Sequence, residues 1–159
     1  MQSALNAQIN AEMWSAYLYL SMSMAAADKG LKGVANWFAI QFKEEQDHAQ
    51  IIINYLLSRG GRVLLEPIAA VDTEWDSALA MFEQTLTHEQ KVTSLINDLY
   101  NLAIEEQDHA TRSMLTWFVP IGLQTGSERF STVRNPNRCH IRHLARIPQV
   151  GFRFVESVQ

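Results

Sequence analysis

The sequence predicts an all-α fold: an antiparallel four-helix bundle with one long crossover between the second and third helices. Three observations predict it. Apolar residues recur every three or four positions along four segments. Only residues 29–31 join the first two segments, so these helices are antiparallel neighbours. The second and third segments are separated by residues 60–75, which have no sustained period, as in bundles of the one-crossover type.

The first helix is predicted over residues 3–28, because its apolar residues have helical spacing and Gly30 follows them. The second is predicted over residues 32–59 and ends at Gly60. Its apolar positions also form one face. These two helices have almost the same length, as expected for the two arms of a hairpin.

The long connection that follows contains Gly60, Gly61 and Pro67, and its length allows it to run the length of the bundle. Asp76 or Ser77 is expected to cap the third helix. The apolar stripe of that helix is Leu79, Phe82, Leu86, Val92, Ile96 and Leu99. The spacing of Ala110, Met114, Trp117 and Phe118 predicts a fourth helix, and Asp108 is expected to cap it.

The chain has 159 residues, 47% of them hydrophobic and 19% charged, which is typical of one globular domain and excludes a disordered chain. Its apolar runs are too short for a membrane span, and polar residues interrupt any candidate signal peptide. The single Cys139 cannot form an internal disulfide. We therefore expect a cytoplasmic protein with no membrane partner.

The net charge of −4 is divided unevenly along the chain. Residues 1–119 hold 15 acidic and 7 basic residues, while residues 120–159 hold 2 acidic and 6 basic residues, all arginine. The first part therefore carries −8 and the second +4. We predict a bundle over residues 1–119 and a separate basic tail over residues 120–159.

Three of the apolar stripes contain a glutamate. Glu12, Glu45 and Glu89 each occupy an inward position on a different helix. His48 lies three residues after Glu45 and points the same way. A partly exposed or arginine-paired glutamate would explain one such position, but not three together with a histidine.

Glu12 and Glu45 lie at nearly equal distances from the turn that joins their helices, so they should meet at the same height. Buried carboxylates repel one another unless a cation lies between them. Oxygen ligands with one imidazole and no thiolate favour iron or manganese over structural zinc. The residues thus predict a metal site in the middle of the bundle.

The hexapeptide EEQDHA occurs at residues 44–49 and again at residues 105–110. Glu106 and His109 of the second copy could supply the second Glu-x-x-His pair of a di-iron bundle. However, Glu106 follows Glu89 by only 17 residues, which is about 25 Å along a helix. We therefore interpret the second copy as a solvated turn and the start of a helix.

Several segments together resemble the non-haem bacterial and archaeal ferritins over about residues 1–119. They are LNAQINAEMWSAYLYLSM from Leu5, KEEQDHA from Lys43, RGGRV from Arg59, HEQKV from His88 and LTWFV from Leu115. The resemblance implies an iron-storage protein that assembles as a shell of 24 subunits. It also implies ferroxidase activity, in which Fe(II) is oxidised by O2 or H2O2 at a di-iron centre and Fe(III) mineral is stored in the cavity.

By the same resemblance, Glu12 and His48 are similar to ligands of the first iron, Glu45 to the bridging carboxylate and Glu89 to the ligand of the second iron. Tyr19 is similar to the tyrosine beside the centre. Glu44 is similar to one ligand of an accessory third iron site. Haem is not expected, because the haem-binding relatives have methionine after the bridging glutamate, where this chain has Gln46.

The resemblance ends after Val119. Pro120 should truncate or disrupt the fourth helix, and Gly122 stands where the family has a glutamine or glutamate. A frameshift in the gene is the favoured explanation of the tail, ahead of a divergent tail or engineering. Four arginines spaced by four residues could form a basic face, but nucleic acid is not a predicted partner. They are Arg134, Arg138, Arg142 and Arg146.

Three alternatives stay open. The chain could be a structural shell subunit without working chemistry, or a relative of the DNA-protecting ferritins, whose metal sites lie between subunits. It could also be a di-iron oxidase of the rubrerythrin type, which would need a working pair of Glu106 and His109.

Overall fold

The computed structural model describes residues 1–116 and Phe118. These residues form four helices and no strand: α1 (Gln2–Asp28), α2 (Lys32–Ser58), α3 (Ala78–Glu105) and α4 (His109–Leu115). The predicted all-α fold with four helices is confirmed. Within the described part of the chain, no helix combines the length and the hydropathy that a membrane span requires.

Helices α1, α2 and α3 end in the same way. The residue after each C-cap has a positive φ: 73° at Gly30, 74° at Gly60 and 55° at Gln107. At the end of α3, the N–H groups of Gln107 and Asp108 donate to the carbonyls of Ile104 and Ala103, at 3.1 and 2.9 Å. This is the Schellman arrangement, which satisfies carbonyls that the helix leaves unpaired. Gln107 thus occupies a position where the other two helices have glycine.

Side chains define the starts of α3 and α4. Of the two predicted caps for α3, Ser77 makes the bond: its side chain accepts from the Ala80 N–H at 3.1 Å. The Asp108 carboxylate accepts from the Thr111 N–H at 3.0 Å and from the Thr111 hydroxyl at 2.7 Å. These bonds satisfy donors in the first turn of each helix.

The connection between α2 and α3 lies along α1 from one end to the other. Near the start of α1, Asn6 donates to the carbonyl of Arg62 at 3.0 Å. Further along, the Ser21 hydroxyl donates to the carbonyl of Asp72 at 2.7 Å, and Lys29 donates to the carbonyl of Trp75. The connection therefore crosses the length of the bundle, and α3 begins beside the C-terminal end of α1.

The core consists of two apolar clusters with a polar layer between them. One cluster includes Leu5 and Ile9 of α1 together with Ile52 of α2. The other lies towards the turn between α1 and α2 and includes Tyr19 and Phe38. The inward glutamates of α1 and α2 lie between these clusters, in the middle of both helices.

One predicted core position is wrong. Leu79 has 66% of its surface exposed, whereas Met81 and Thr85 are buried. Leu79 lies in the first turn of α3, at the end of the bundle, where the inward face of the helix is formed by Met81 instead. The predicted break at Pro120, the missing ligand at Gly122 and the basic tail over residues 120–159 lie outside the described residues.

Candidate metal centre

Glu12, Glu45 and His48 form a cluster in the polar layer. Each offers one ligand atom, and these atoms all lie within 4.8 Å of one another. The three side chains are almost fully buried. His48 Nδ1 lies 3.1 Å from Glu45 Oε2 and 3.8 Å from Glu12 Oε2. The antiparallel hairpin thus brings one carboxylate of α1 to the Glu-x-x-His pair of α2.

The two oxygens of Glu12 have different surroundings. The buried amide of Gln8, one turn earlier on α1, donates to Oε1 at 2.8 Å. Oε2 is buried and accepts no hydrogen bond from any described residue. A buried carboxylate oxygen without a hydrogen-bond partner is costly. Because Oε2 of Glu12 lies beside Glu45 and His48, a cation bound by these three residues would give this oxygen a partner.

The electrostatics of the cluster also favour a cation. Burial raises the pKa of Glu45 to about 8, despite the opposing effect of His48. Burial lowers the pKa of His48, but the Glu12 and Glu45 carboxylates outweigh it and raise that pKa to about 10. Burial raises the pKa of Glu12, and its contacts with His48 and Gln8 reverse this and lower it. Without a metal, the cluster therefore holds protons that a cation can replace.

Glu89 lies on α3, next to the cluster but outside the group of mutually close ligand atoms. Its Oε1 accepts from the hydroxyl of the buried Tyr19 at 2.5 Å. Its charge is near enough to raise the pKa of Glu45. The half-buried Glu89 thus faces the same layer from a third helix.

Glu44 is half-buried and accepts from the Gln41 amide at 2.9 Å, and it is not part of the cluster. The second EEQDHA copy is also elsewhere, as predicted: it forms the end of α3, a turn and the start of α4. Glu106 is 44% exposed and pairs with the N-terminal ammonium of Met1 at 2.8 Å. His109 is exposed. This geometry opposes a rubrerythrin-type centre built from Glu106 and His109.

Sequence reasoning missed three residues around the cluster. Gln8 orients Glu12, and its position four residues earlier on the same helix face was a usable signal. Ser15 and His88 meet across α1 and α3, with Ser15 Oγ 2.8 Å from His88 Nε2. Burial lowers the pKa of His88 to about 4, so the ring is neutral at ordinary pH. No local spacing relates Ser15 to His88, which are 73 residues apart.

Among the described residues, the donor set consists of carboxylate oxygens and one imidazole nitrogen. Such ligands suit iron and related divalent ions. Two helices of a single chain, α1 and α2, contribute them, and Glu89 of α3 lies next to the group. The fold and this cluster define a class: four-helix bundles with a group of carboxylate and histidine side chains inside the bundle that could hold a metal ion.

Comparison with known proteins identifies the family. The Ferritin-like domain family matches residues 2–121. The bacterial non-heme ferritin of Bacteroides fragilis is 41% identical over 119 residues, covering 75% of each chain. That of Staphylococcus aureus is 35% identical over 144 residues, covering 91% of this chain and 82% of the relative. The solved open pore ferritin of Archaeoglobus fulgidus has a TM-score of 0.80 and 42% identity, covering 84% of this chain and 83% of its own.

The chain therefore belongs to the ferritin-like family. Membership of this family, with ferritins as structural neighbours, supports iron storage as its general role.

Proposed function

We propose that the chain is a non-haem iron-storage subunit with a di-iron ferroxidase centre. In this proposal, Glu12 and His48 bind the first iron, Glu45 bridges the two ions and Glu89 binds the second. Tyr19 positions Glu89 through its hydroxyl. Glu44 contributes to an accessory third iron site beside the centre. Haem has no part in this function.

The observation that carries the proposal is the unsatisfied Oε2 of Glu12 inside the cluster with Glu45 and His48. Burial of two carboxylates beside one imidazole, with one oxygen left without a hydrogen bond, destabilises the fold. A divalent cation would neutralise them and occupy that oxygen. The resemblance and the family support iron as the choice among the ions that such ligands suit.

Iron is the substrate and the stored product. Two Fe(II) ions held between Glu12, Glu45, His48 and Glu89 each give up one electron. O2 accepts both electrons with two protons and becomes H2O2; with H2O2 as oxidant, the product is water. The carboxylates stabilise the Fe(III) ions more than Fe(II), because their interaction energy grows with the charge of the cation. Fe(III) then moves to storage.

Storage requires self-association, and we propose the shell of 24 subunits that the resemblance implies. The crossover connection supports an interface, because Leu64, Leu65 and Ile68 are exposed there, Leu65 with 75% of its surface. Neighbouring exposed apolar residues of this kind mark interaction surfaces. A cytoplasmic location stays a prediction from the single Cys139.

Anaerobic titration of the metal-free protein with Fe(II), followed by exposure to air, tests the proposal. We expect two tightly bound ions per chain and rapid formation of Fe(III). Glu45→Ala should abolish both, whereas Asp47→Ala, an exposed acid on the same helix, should change neither. Weak binding in the wild type, or unchanged binding in Glu45→Ala, would contradict the assignment.

A second candidate function is a shell subunit that does not oxidise iron. Gly122 favours it, because glycine offers no side-chain ligand where the family has a glutamine or glutamate. Stopped-flow oxidation of Fe(II), with the assembly mass from size exclusion, separates the two functions. A large assembly that oxidises iron no faster than free solution indicates the structural subunit.

A further inference from the structure

Two consecutive residues of α3, His88 and Glu89, are each held by α1. The Tyr19 hydroxyl donates to Glu89 Oε1 at 2.5 Å, and Ser15 Oγ lies 2.8 Å from His88 Nε2. Ser15 and Tyr19 are four residues apart, so they lie one above the other on the same face of α1. The two contacts are therefore adjacent and join the same pair of helices at the height of the metal cluster.

The direction of the Ser15 bond follows from its other partner. The Ser15 hydroxyl donates its hydrogen to the carbonyl of Ala11 at 3.0 Å. It can therefore only accept from His88, so Nε2 of His88 carries the hydrogen. Ser15 is 1% exposed, and the ring of His88 packs against Trp14 and Tyr19 at centroid distances of 5.1 and 6.1 Å. The ring is thus fixed by a directed bond and by two aromatic contacts.

We propose that the His88–Ser15 bond is a tether that positions Glu89, and thereby controls occupancy of the second metal position. This inference rests on the di-metal centre of the proposed function. A helix that rotates about its axis moves all of its side chains together. A bond at His88 therefore fixes the direction of the neighbouring Glu89 carboxylate. His88 is a positioning residue here, since it acts on the metal only through Glu89.

The first metal position does not depend on this tether. Glu12, Glu45 and His48 belong to α1 and α2, which form a hairpin with its own contacts. Loss of the tether should leave that group in place while Glu89 moves. The expected signature is a selective loss of the second ion.

Titration of the metal-free full chain with Co(II), followed by visible absorption, tests the tether. We expect two ions per wild-type chain. His88→Leu should retain the first and bind the second at least about tenfold more weakly, in the range seen for outer-shell ligand partners. His88→Gln, whose amide can donate to Ser15 from a similar position, should restore the second ion. Ser15→Ala removes the acceptor with a smaller change and should reproduce the loss if His88→Leu folds poorly.

Thr85→Val is the matched control. Thr85 lies one turn before Glu89 on α3. Its Oγ1 is 3.6 Å from Sδ of Met22 on α1, so this contact joins the same two helices. Its loss should loosen the packing of α1 and α3 but leave both ions bound. Binding of both ions by His88→Leu and Ser15→Ala as in the wild type would overturn the tether. An equal loss of affinity for both ions would show that His88 acts only on the stability of the fold. That result would also overturn the tether.

A metal-free measurement separates this proposal from the proposed function. If the wild type binds fewer than two ions, the di-metal centre is wrong, and the tether is then judged by thermal unfolding without metal. Tyr19→Phe should lower Tm less in the His88→Leu background than in the wild type, because Glu89 is already displaced. Equal losses of Tm in both backgrounds would overturn the tether.

Discussion

The two copies of EEQDHA have the same six residues and different structures. In the first copy, Glu45 and His48 are buried in the middle of α2, while Gln46 and Asp47 face outwards. In the second, the helix ends after Glu105, and a new helix begins at His109. The same six residues can therefore form either a continuous helix or a turn between two helices, and residues outside the hexapeptide determine which.

The residue that follows each copy helps to explain the difference. Thr111 follows the second copy. Its N–H and its hydroxyl each donate a hydrogen bond to the Asp108 carboxylate. Thr111 also bonds the Tyr55 hydroxyl at 2.8 Å, which anchors the new helix to α2. Gln50 holds the corresponding place after the first copy and has no such hydroxyl. Asp108 therefore caps a helix, whereas Asp47 lies on the surface of one.

The largest expected difference between the copies is in metal binding. Glu45→Ala with His48→Ala removes two ligands of the proposed centre and should weaken Fe(II) binding by at least about 100-fold, more than loss of outer-shell partners costs. Glu106→Ala with His109→Ala should leave binding unchanged, because both side chains are exposed at the end of the bundle. Anaerobic titration measures both. Comparable losses in the two double variants would remove the functional distinction between the copies.

Glycine substitutions should have opposite signs in the two copies. Gln46→Gly places glycine on an exposed site in the middle of α2 and should cost about 1 kcal/mol of unfolding free energy. Gln107→Gly should stabilise by about 0.5–1 kcal/mol, because φ at Gln107 is 55° and glycine adopts that region without strain. Chemical denaturation of the metal-free variants measures the difference. The same sign for both would show that Gln107 does not hold this conformation in solution.

Alanine substitutions compare the two aspartates. Asp108→Ala removes the cap of α4 and should cost about 1 kcal/mol. Asp47→Ala changes an exposed position within a helix and should stay within about 0.5 kcal/mol of the wild type. Thermal unfolding under the same conditions is the measurement, and Asp108→Asn serves as a control that retains a capping oxygen. A larger loss at Asp47 than at Asp108 would contradict the cap.

The smallest expected effect is a pH dependence of the stability that the Asp108 carboxylate contributes. Hydrogen bonds from Thr111 hold the pKa of Asp108 below its usual value. A carboxyl whose pKa is lowered by folding adds stability above its unfolded pKa of about 3.9, and this is lost as pH falls through the folded value. The difference between the wild type and Asp108→Ala should therefore shrink below about pH 4. A difference that stays constant to pH 2.5 would exclude the ionised cap.

Much of the bundle follows from local patterns. The ends of α1 and α2 were predictable from Gly30 and Gly60, and the cap at Asp108 from its residue type. The meeting of Glu12 with Glu45 and His48 was predictable as well, because a short turn fixes the register of two long helices. These features depend on neighbours in sequence or on simple helix geometry.

Other features depend on contacts between distant segments and left no local signal. Tyr19 and Glu89 are 70 residues apart, and their bond follows from the height at which α3 begins beside α1. That height is determined by the crossover connection, whose anchors include Ser21 and Lys29. The outward position of Leu79 has the same origin. The spacing of apolar residues predicts which face of a helix points into the core. It does not predict how far along the helix the core extends.

The polar layer that divides the core has a consequence for local motion. In most bundles, protection of backbone amides from hydrogen exchange falls towards the helix ends. Here the buried polar layer lies at mid-height between two apolar clusters, so we expect the middle of the metal-free bundle to be less protected than the regions on either side. Metal binding would add stability to the folded state by mass action, in proportion to RT ln(1 + [metal]/Kd). Iron loading would thus be read directly as slower amide exchange around Glu12 and Glu45.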